Sequence, residues 1–243
     1  MNVAPPKVSI EKECRDCPIR HNAVCAQCEQ AELLVLETMK TYRHYAPGDT
    51  IIWAGDELTF LGSVVAGVAS LSRTLSDGRR QMVGMLFPSD FVGRPNRATT
   101  PYDVVAATDV TLCTFRKKPF EDLIGQSPNI ERRLLAMTLD ELDAAREWMT
   151  LLGRKTAREK IASVLLIFAR RSAALTKDDL RDGITFDLPV TREVIADYLG
   201  LTIETVSRQI SALKKEGLIT LSGTRHVTIP DIEALRAECG DDD

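Results

Sequence analysis

"TREVIADYLGLTIETVSRQISALKKEGLI", residues 191–219, decides how the rest of the chain is read. Thr191 can cap a first helix in which Val194, Ile195 and Leu199 share the buried face, while Ala196 is small enough for a second helix to approach. Gly200 then supplies a tight turn, because a residue without Cβ takes positive φ at little cost. A second helix starting at about Thr202 buries Ile203, Val206 and Ile210 and turns Glu204, Thr205, Ser207, Arg208 and Lys215 outward. Two helices crossing at a glycine-bearing turn make a helix-turn-helix, whose second helix enters the major groove of DNA. "LITLSGTRHVTI" adds a hairpin, hence a winged variant. The outward set suits base edges: Arg bonds bidentately to guanine, Glu accepts from cytosine N4, and Ser reaches either partner. A plain αα-hairpin fits the same spacing but leaves that chemistry without a purpose.

Just upstream, Arg154, Lys155, Arg158, Lys160, Arg170 and Arg171 stand against one acid, Glu159, a run that reads either as a solvated helix face or as an accessory to DNA binding. Before it, "NIERRLLAMTLDELDAAREWMTLLGRK" has leucines at helical spacing and no proline, which predicts one long helix. Leu135, Leu142 and Met149 recur every seven residues, and Thr138, Ala145 and Leu152 form the companion column of a coiled-coil seam, so a homodimer is expected. Leu134, Met137, Trp148 and Leu151 lie on another face and can pack within the subunit. Asp140, Glu141 and Asp143 flank the seam, which predicts a marginal interface.

Further upstream, seven of the fourteen glycines fall between Gly48 and Gly93 among short Val, Ile, Leu and Phe runs, the pattern of an antiparallel roll or jelly roll. "DGRR" at 77–80 suits a hairpin turn, and strands resume in "YDVVAATDVTLCTFR". The fold class is therefore α+β. Its expected parts are a cysteine-rich segment at 1–30, a β-roll at 31–127, a dimerisation helix at 128–153 and a winged helix-turn-helix at 154–243.

With 243 residues, 44 % hydrophobic and 27 % charged, the composition is that of a soluble chain, and the net charge of −4 argues against non-specific coating of nucleic acid. The opening residues lack the apolar stretch of a secretory signal, and no apolar run is long enough for a bilayer, so a cytoplasmic protein without a membrane partner is expected. In that compartment thiols stay reduced, and a cluster of cysteines reads as metal-binding or redox-active. "CRDCPIRHNAVCAQC" places Cys14, Cys17, Cys25 and Cys28 within fifteen residues. By spacing alone this is a respectable zinc site. His21 reads as a loop residue and Cys239 as a free thiol.

The glycine-rich roll, the long helix and "TREVIADYLGLTIETVSR" with its wing resemble the CRP/FNR superfamily of bacterial regulators over residues 14–236. The amino-terminal cysteines, Cys113 in "DVTLCTF", and the runs "AGDELTFLGSVVAGVASL" and "DFVG" resemble its FNR branch. That resemblance implies a 4Fe-4S cluster, oxygen sensing, and ligands drawn three from the amino-terminal loop and one from the roll. The spacing of Cys17 and Cys25 is similar to that of a subgroup, giving Cys14, Cys17, Cys25 and Cys113, with Cys28 in reserve. It further implies that Glu204, Ser207 and Arg208, with Thr202 and Thr205 beside them, read an inverted repeat close to TTGAT-N4-ATCAA. RNA polymerase is the implied partner, met by exposed loops such as "SDGRR". Where relatives that bind cyclic AMP carry Gly-Glu and Arg-Ser pairs, this chain has "SDFVGRPNRATTPYDVVAATD", so a cyclic nucleotide is not expected. A regulator with a zinc site or no metal, and an iron-sulfur redox protein, are the other readings.

Overall fold

The computed structural model describes residues 13–240. The first twelve residues of the expected cysteine-rich segment and the acidic end at 241–243 lie outside them.

After a short 3-10 turn at Cys14–Asp16 and a looped stretch, helix α1 (Gln30–Met39) leads into eight strands. These are β1 (Thr41–Tyr45), β2 (Thr50–Ile52), β3 (Phe60–Ala66), β4 (Ala69–Thr74), β5 (Arg80–Leu86), β6 (Phe91–Val92), β7 (Asp103–Ala106) and β8 (Val110–Arg116). They form two four-stranded antiparallel sheets, ordered β1-β8-β3-β6 and β2-β7-β4-β5, around a core that includes Ile52, Phe60, Val64, Val104 and Leu112. The expected hairpin joins β4 to β5, with Gly78 at φ 86°. At Gly62 the glycine is required, since a Cβ would sit 2.5 Å from the Cys113 carbonyl oxygen. Strand β3 can therefore lie close against the strand that carries Cys113.

Helix α2 (Lys117–Gln126) follows, then α3 (Pro128–Arg154), 27 residues and so about 40 Å long. Ser127 caps α3 by accepting from the Ile130 amide, and Pro128 fits the first turn, where its missing N–H costs nothing. Glu32 of α1 accepts from Ser127 Oγ and, at 3.1 Å, from Asn129 Nδ2, which fastens the cysteine-bearing end of the chain to the start of the long helix. Along α3, Ile130 and Leu151 are buried, and Leu134, Met137 and Trp148 pack inward. Leu135, Leu142 and Met149 stay exposed. Leu152 is a correction: it is half-buried against the carboxy-terminal core and does not extend the exposed seam. Leu139, absent from the expected seam, is exposed alongside it.

The carboxy-terminal part comprises α4 (Ala157–Thr176), β9 (Ile184–Asp187), α5 (Arg192–Leu199), α6 (Ile203–Lys215), β10 (Thr220–Ser222), β11 (His226–Ile229) and α7 (Ile232–Ala237). Its wing is a three-stranded sheet, β10-β11-β9, one strand more than the expected hairpin. The basic run is largely structural. Arg158 bonds Glu216 at 3.1 Å and also Glu238, Lys160 donates to the Leu199 carbonyl at 3.2 Å, and Lys155 donates to Ser163 Oγ at 3.0 Å. Arg171 reaches Asp90 of the roll at 2.8 Å and lies over the Phe87 ring. Burial keeps the Asp90 carboxyl above the usual carboxylate range despite that pull. Arg154 and Arg170 are the exposed members of the run. Cys239 carries no disulfide and is buried in the core beside Leu235, its Sγ 3.5 Å from the Leu235 carbonyl.

Candidate metal centre and DNA-reading helix

Strand β8 lies between β1 and β3, and the register sets Cys113 opposite Tyr42 on one side and Ser63 on the other. Directly opposed residues share a sheet face. Over this row folds the loop of residues 13–28, held by Arg20, which donates to the carbonyls of Ala26 at 2.6 Å and Cys28 at 3.0 Å. Cys14 is fixed from α1, its amide donating to Glu37 at 3.3 Å and its sulfur 3.6 Å from Lys40 Nζ. One small cavity results, lined by Cys14, Cys17, Cys25 and Cys113 together with Tyr42 and Ser63. Cys28 does not line it. Its side chain packs in the neighbouring apolar cluster with Val24, Leu33 and Leu36.

The electrostatics follow from burial. It pushes the Cys25 thiol up to about 11, against the pull of Arg20, and Cys28 up to about 12. Cys113 is driven further the same way by burial and then by the neighbouring thiols, and Cys14 is raised with Lys40 opposing. Cys14, Cys25 and Cys113, all raised in this way, would ionise together where a bound cationic group supplies the balancing charge, which is what metal coordination does to a thiol. Ser63 Oγ, buried at the same cavity, has no hydrogen-bond partner among the described residues, and buried hydroxyls ordinarily have one. A group rich in thiolate and sulfide sulfur would give it an acceptor. Among the described residues, no three or more His, Cys, Asp or Glu side chains converge to hold a single metal ion.

At the other end of the chain, Thr191 and Thr202 cap α5 and α6 by accepting from the amides of Val194 and Thr205, and Gly200 turns between them at φ 62°. Val206, Ile210 and Leu213 are buried, but Ile203, expected inside, is 45 % exposed, and Val194 is only half-buried. Ile203 opens the helix one turn before its packed face begins. Glu204 and Arg208 are exposed. Hydrogen bonds from its own amide and the Thr202 hydroxyl hold the Glu204 carboxyl below the usual range, so it remains an acceptor. Thr205 Oγ1 pairs with Thr202 Oγ1 at 3.1 Å, and Ser207 Oγ accepts from Arg192 at 3.2 Å. Arg20, Tyr42, Ser63 and Arg192 escaped the reading of the sequence. Arg20 alone carried a signal, as a cation between two C-x-x-C pairs.

A β-roll feeding a long helix and a winged helix-turn-helix with an open reading face is the architecture of a DNA-binding transcriptional regulator. Residues 159–238 match the Crp-like helix-turn-helix domain and residues 42–127 the cyclic nucleotide-binding domain. Among similar proteins are the transcriptional activator protein FnrL of Cereibacter sphaeroides, 61 % identical over 96 % of this chain and 94 % of that one, and the nitrogen fixation regulation protein FixK of Bradyrhizobium diazoefficiens, 39 % identical over 96 % and 99 %. The solved structure of FixK2 from Bradyrhizobium japonicum superposes with a TM-score of 0.73 at 31 % identity, over 84 % of this chain and 99 % of that one. The chain belongs to the CRP/FNR superfamily of transcriptional regulators. Among the described residues, no helix is long and apolar enough to cross a membrane.

Proposed function

We propose that this regulator is an oxygen-responsive activator, in which Cys14, Cys17, Cys25 and Cys113 hold a 4Fe-4S cluster and the dimer reads a TTGAT-N4-ATCAA-like palindrome. The observation that carries this is the meeting of loop thiols and one roll thiol at a single cavity beside the Ser63 hydroxyl, which has no partner among the described residues. When bound, the cluster supplies an oxygen-labile tie between loop and roll. The chain's own residues do the rest. Arg20 shapes the loop, Tyr42 and Ser63 flank the roll ligand, and Cys28 fills the adjoining core. On the DNA side, Glu204, Ser207 and Arg208 read bases, with Thr202 and Thr205 at the helix start, where backbone amides favour phosphate. The exposed hairpin tip around Asp77 and Arg79 is the surface offered to RNA polymerase. Gly93 is followed by Arg94 instead of Glu, and residues 89–109 hold no Arg-Ser pair, so no cyclic nucleotide is assigned to the roll.

An absorption spectrum of protein purified without oxygen, with iron and sulfide counts, tests the cluster. About four of each per chain and a brown colour bleaching in air are expected. Colourless, zinc-loaded protein would refute it. For base reading, Arg208→Ala is expected to cost roughly 1–3 kcal/mol and to relax preference at one guanine, whereas the exposed Arg154→Ala at most weakens binding evenly. Affinities at one salt concentration on single-base operator variants separate these. A uniform loss for Arg208→Ala removes it from the base-reading set.

A further inference from the structure

The last turn of α4 is closed by the cysteine loop, 152 and 153 residues away in sequence at the two contacts. The amides of Lys177 and Asp178 both turn back to the Ala173 carbonyl, with Lys177 in the left-handed region at φ 58°. The next helix-end carbonyl, Ala174, is then met by His21 Nε2 at 2.7 Å and Asn22 Nδ2 at 3.3 Å. Carbonyls at a helix C-terminus have no partner in their own helix and take whatever donors approach. Leu175, beside it, packs against Ile19, Ala23 and Val65, in the same cluster that Cys17, Cys25 and Cys113 join. The turn is gripped from its other side by α3, where Arg133 donates to the carbonyls of Ala23, at 3.4 Å, and Asn22. One turn between two candidate ligands, Cys17 and Cys25, thus touches the long helix and the DNA-binding unit together.

We propose that His21 and Asn22 are positioning residues through which the cysteine loop sets the orientation of the DNA-binding unit, a route that does not pass through the dimer seam. With α4 held in this way, and anchored one turn earlier by Arg171 on Asp90, Glu204, Arg208 and Ser211 on the reading helix remain exposed. In this proposal the contact is kept when DNA is bound. Coupling the contact to oxygen rests on the reading that the thiols hold a cluster; the contact itself does not.

The test is the full chain purified without oxygen, carrying His21→Ala and Asn22→Ala together. Iron and sulfide, dimer mass and affinity for a palindromic duplex are measured on the same samples. Iron and mass are expected to match the unsubstituted protein while affinity falls roughly tenfold, within the usual range for coupling between sites. His21→Gln, whose amide can donate to the same carbonyl, should stay near the unsubstituted value. A second readout comes from Trp148, which stacks on Tyr198 of α5 at 5.7 Å and is the remaining tryptophan once Trp53→Phe is introduced. Its emission should shift in the double variant without any change in iron. Unchanged affinity and emission would overturn the proposal. So would loss of iron together with affinity, because the pair would then merely build the loop. If the unsubstituted protein itself holds no iron, the cluster reading fails, and the comparison of affinity and emission still decides this one.

Discussion

Cys113→Ser is expected to lower bound iron to less than about a tenth of the unsubstituted level and operator affinity on the order of 100-fold, at least as much as loss of a residue supporting a metal ligand costs. The substitution is nearly isosteric and lies in the middle of β8, paired on both sides, so the strand itself has no reason to change. What it removes is the one thiol contributed by the roll. The three loop thiols then have no roll partner, and among the described residues the loop is still held down by Glu37, Lys40, Arg133, the α4 contact and the packing of Ile19, Ala23 and Val24. Cys28→Ala and Cys239→Ala are the controls. Cys28 lies in the apolar cluster that adjoins the cavity without lining it, and Cys239 lies in the carboxy-terminal core, so both variants should retain iron and DNA binding at some expense in thermal stability. Iron, sulfide and far-ultraviolet circular dichroism are measured on all three variants. Full iron in Cys113→Ser would break the ligand assignment. Loss of iron in Cys28→Ala alongside retention in a Cys25→Ala variant would move the third ligand to Cys28.

The helix-turn-helix was legible because its determinants are local. Thr191, Gly200 and Thr202 act within a few residues of themselves, and caps and positive φ are properties of residue type. The long helix was legible for the same reason. The roll showed as a class, but its strand order did not, since the pairing of β8 with β1 and β3 joins residues far apart in the chain. Helix α1 was missed inside the segment read as roll. It is only ten residues long and its buried residues are Leu33 and Leu36 alone, too few to impose a period. The basic run misled because charge sign carries no direction: Arg158 and Arg171 are spoken for by Glu216, Glu238 and Asp90, which lie far from them in sequence. Ser63 and Tyr42 matter only through their register opposite Cys113. Nothing in a single sequence states a register.

The seam on α3 yields the second large effect. Leu135, Leu139, Leu142 and Met149 are 60 %, 52 %, 44 % and 62 % exposed in the single chain. With Arg146, which bonds Asp143 at 3.1 Å, they follow one line along the helix at i, i+4, i+7, i+11 and i+14. Thr138 and Ala145 of the companion column are exposed too, and Leu152 is half-buried against the carboxy-terminal core, so beside Leu135, Leu142 and Met149 the larger apolar side chain is Leu139. Large apolar side chains left in a row on a 27-residue helix are the mark of an interface. Burying each is worth about 1.5–3 kcal/mol at most, against an association cost of roughly 4–15 kcal/mol. The balance is close, as a switch between monomer and dimer requires, because a loop contact then needs to add only a few kcal/mol to move it. In the dimer expected through this helix, a carboxylate placed at the centre of the stripe would meet its symmetry copy across the axis. At a separation of about 6 Å and an effective dielectric of about 20 the repulsion is about 3 kcal/mol, which weakens the dimer on the order of 100-fold. Leu142→Asp, at the centre, should show that full effect, and Ala145→Asp, in the companion column, clearly less. Sedimentation across a range of concentrations, with and without oxygen and at two salt levels, measures both. Equal weakening in the two variants would place Ala145 in the seam beside Leu142, as the two heptad columns suggest, and association untouched by either would take the interface off this helix altogether.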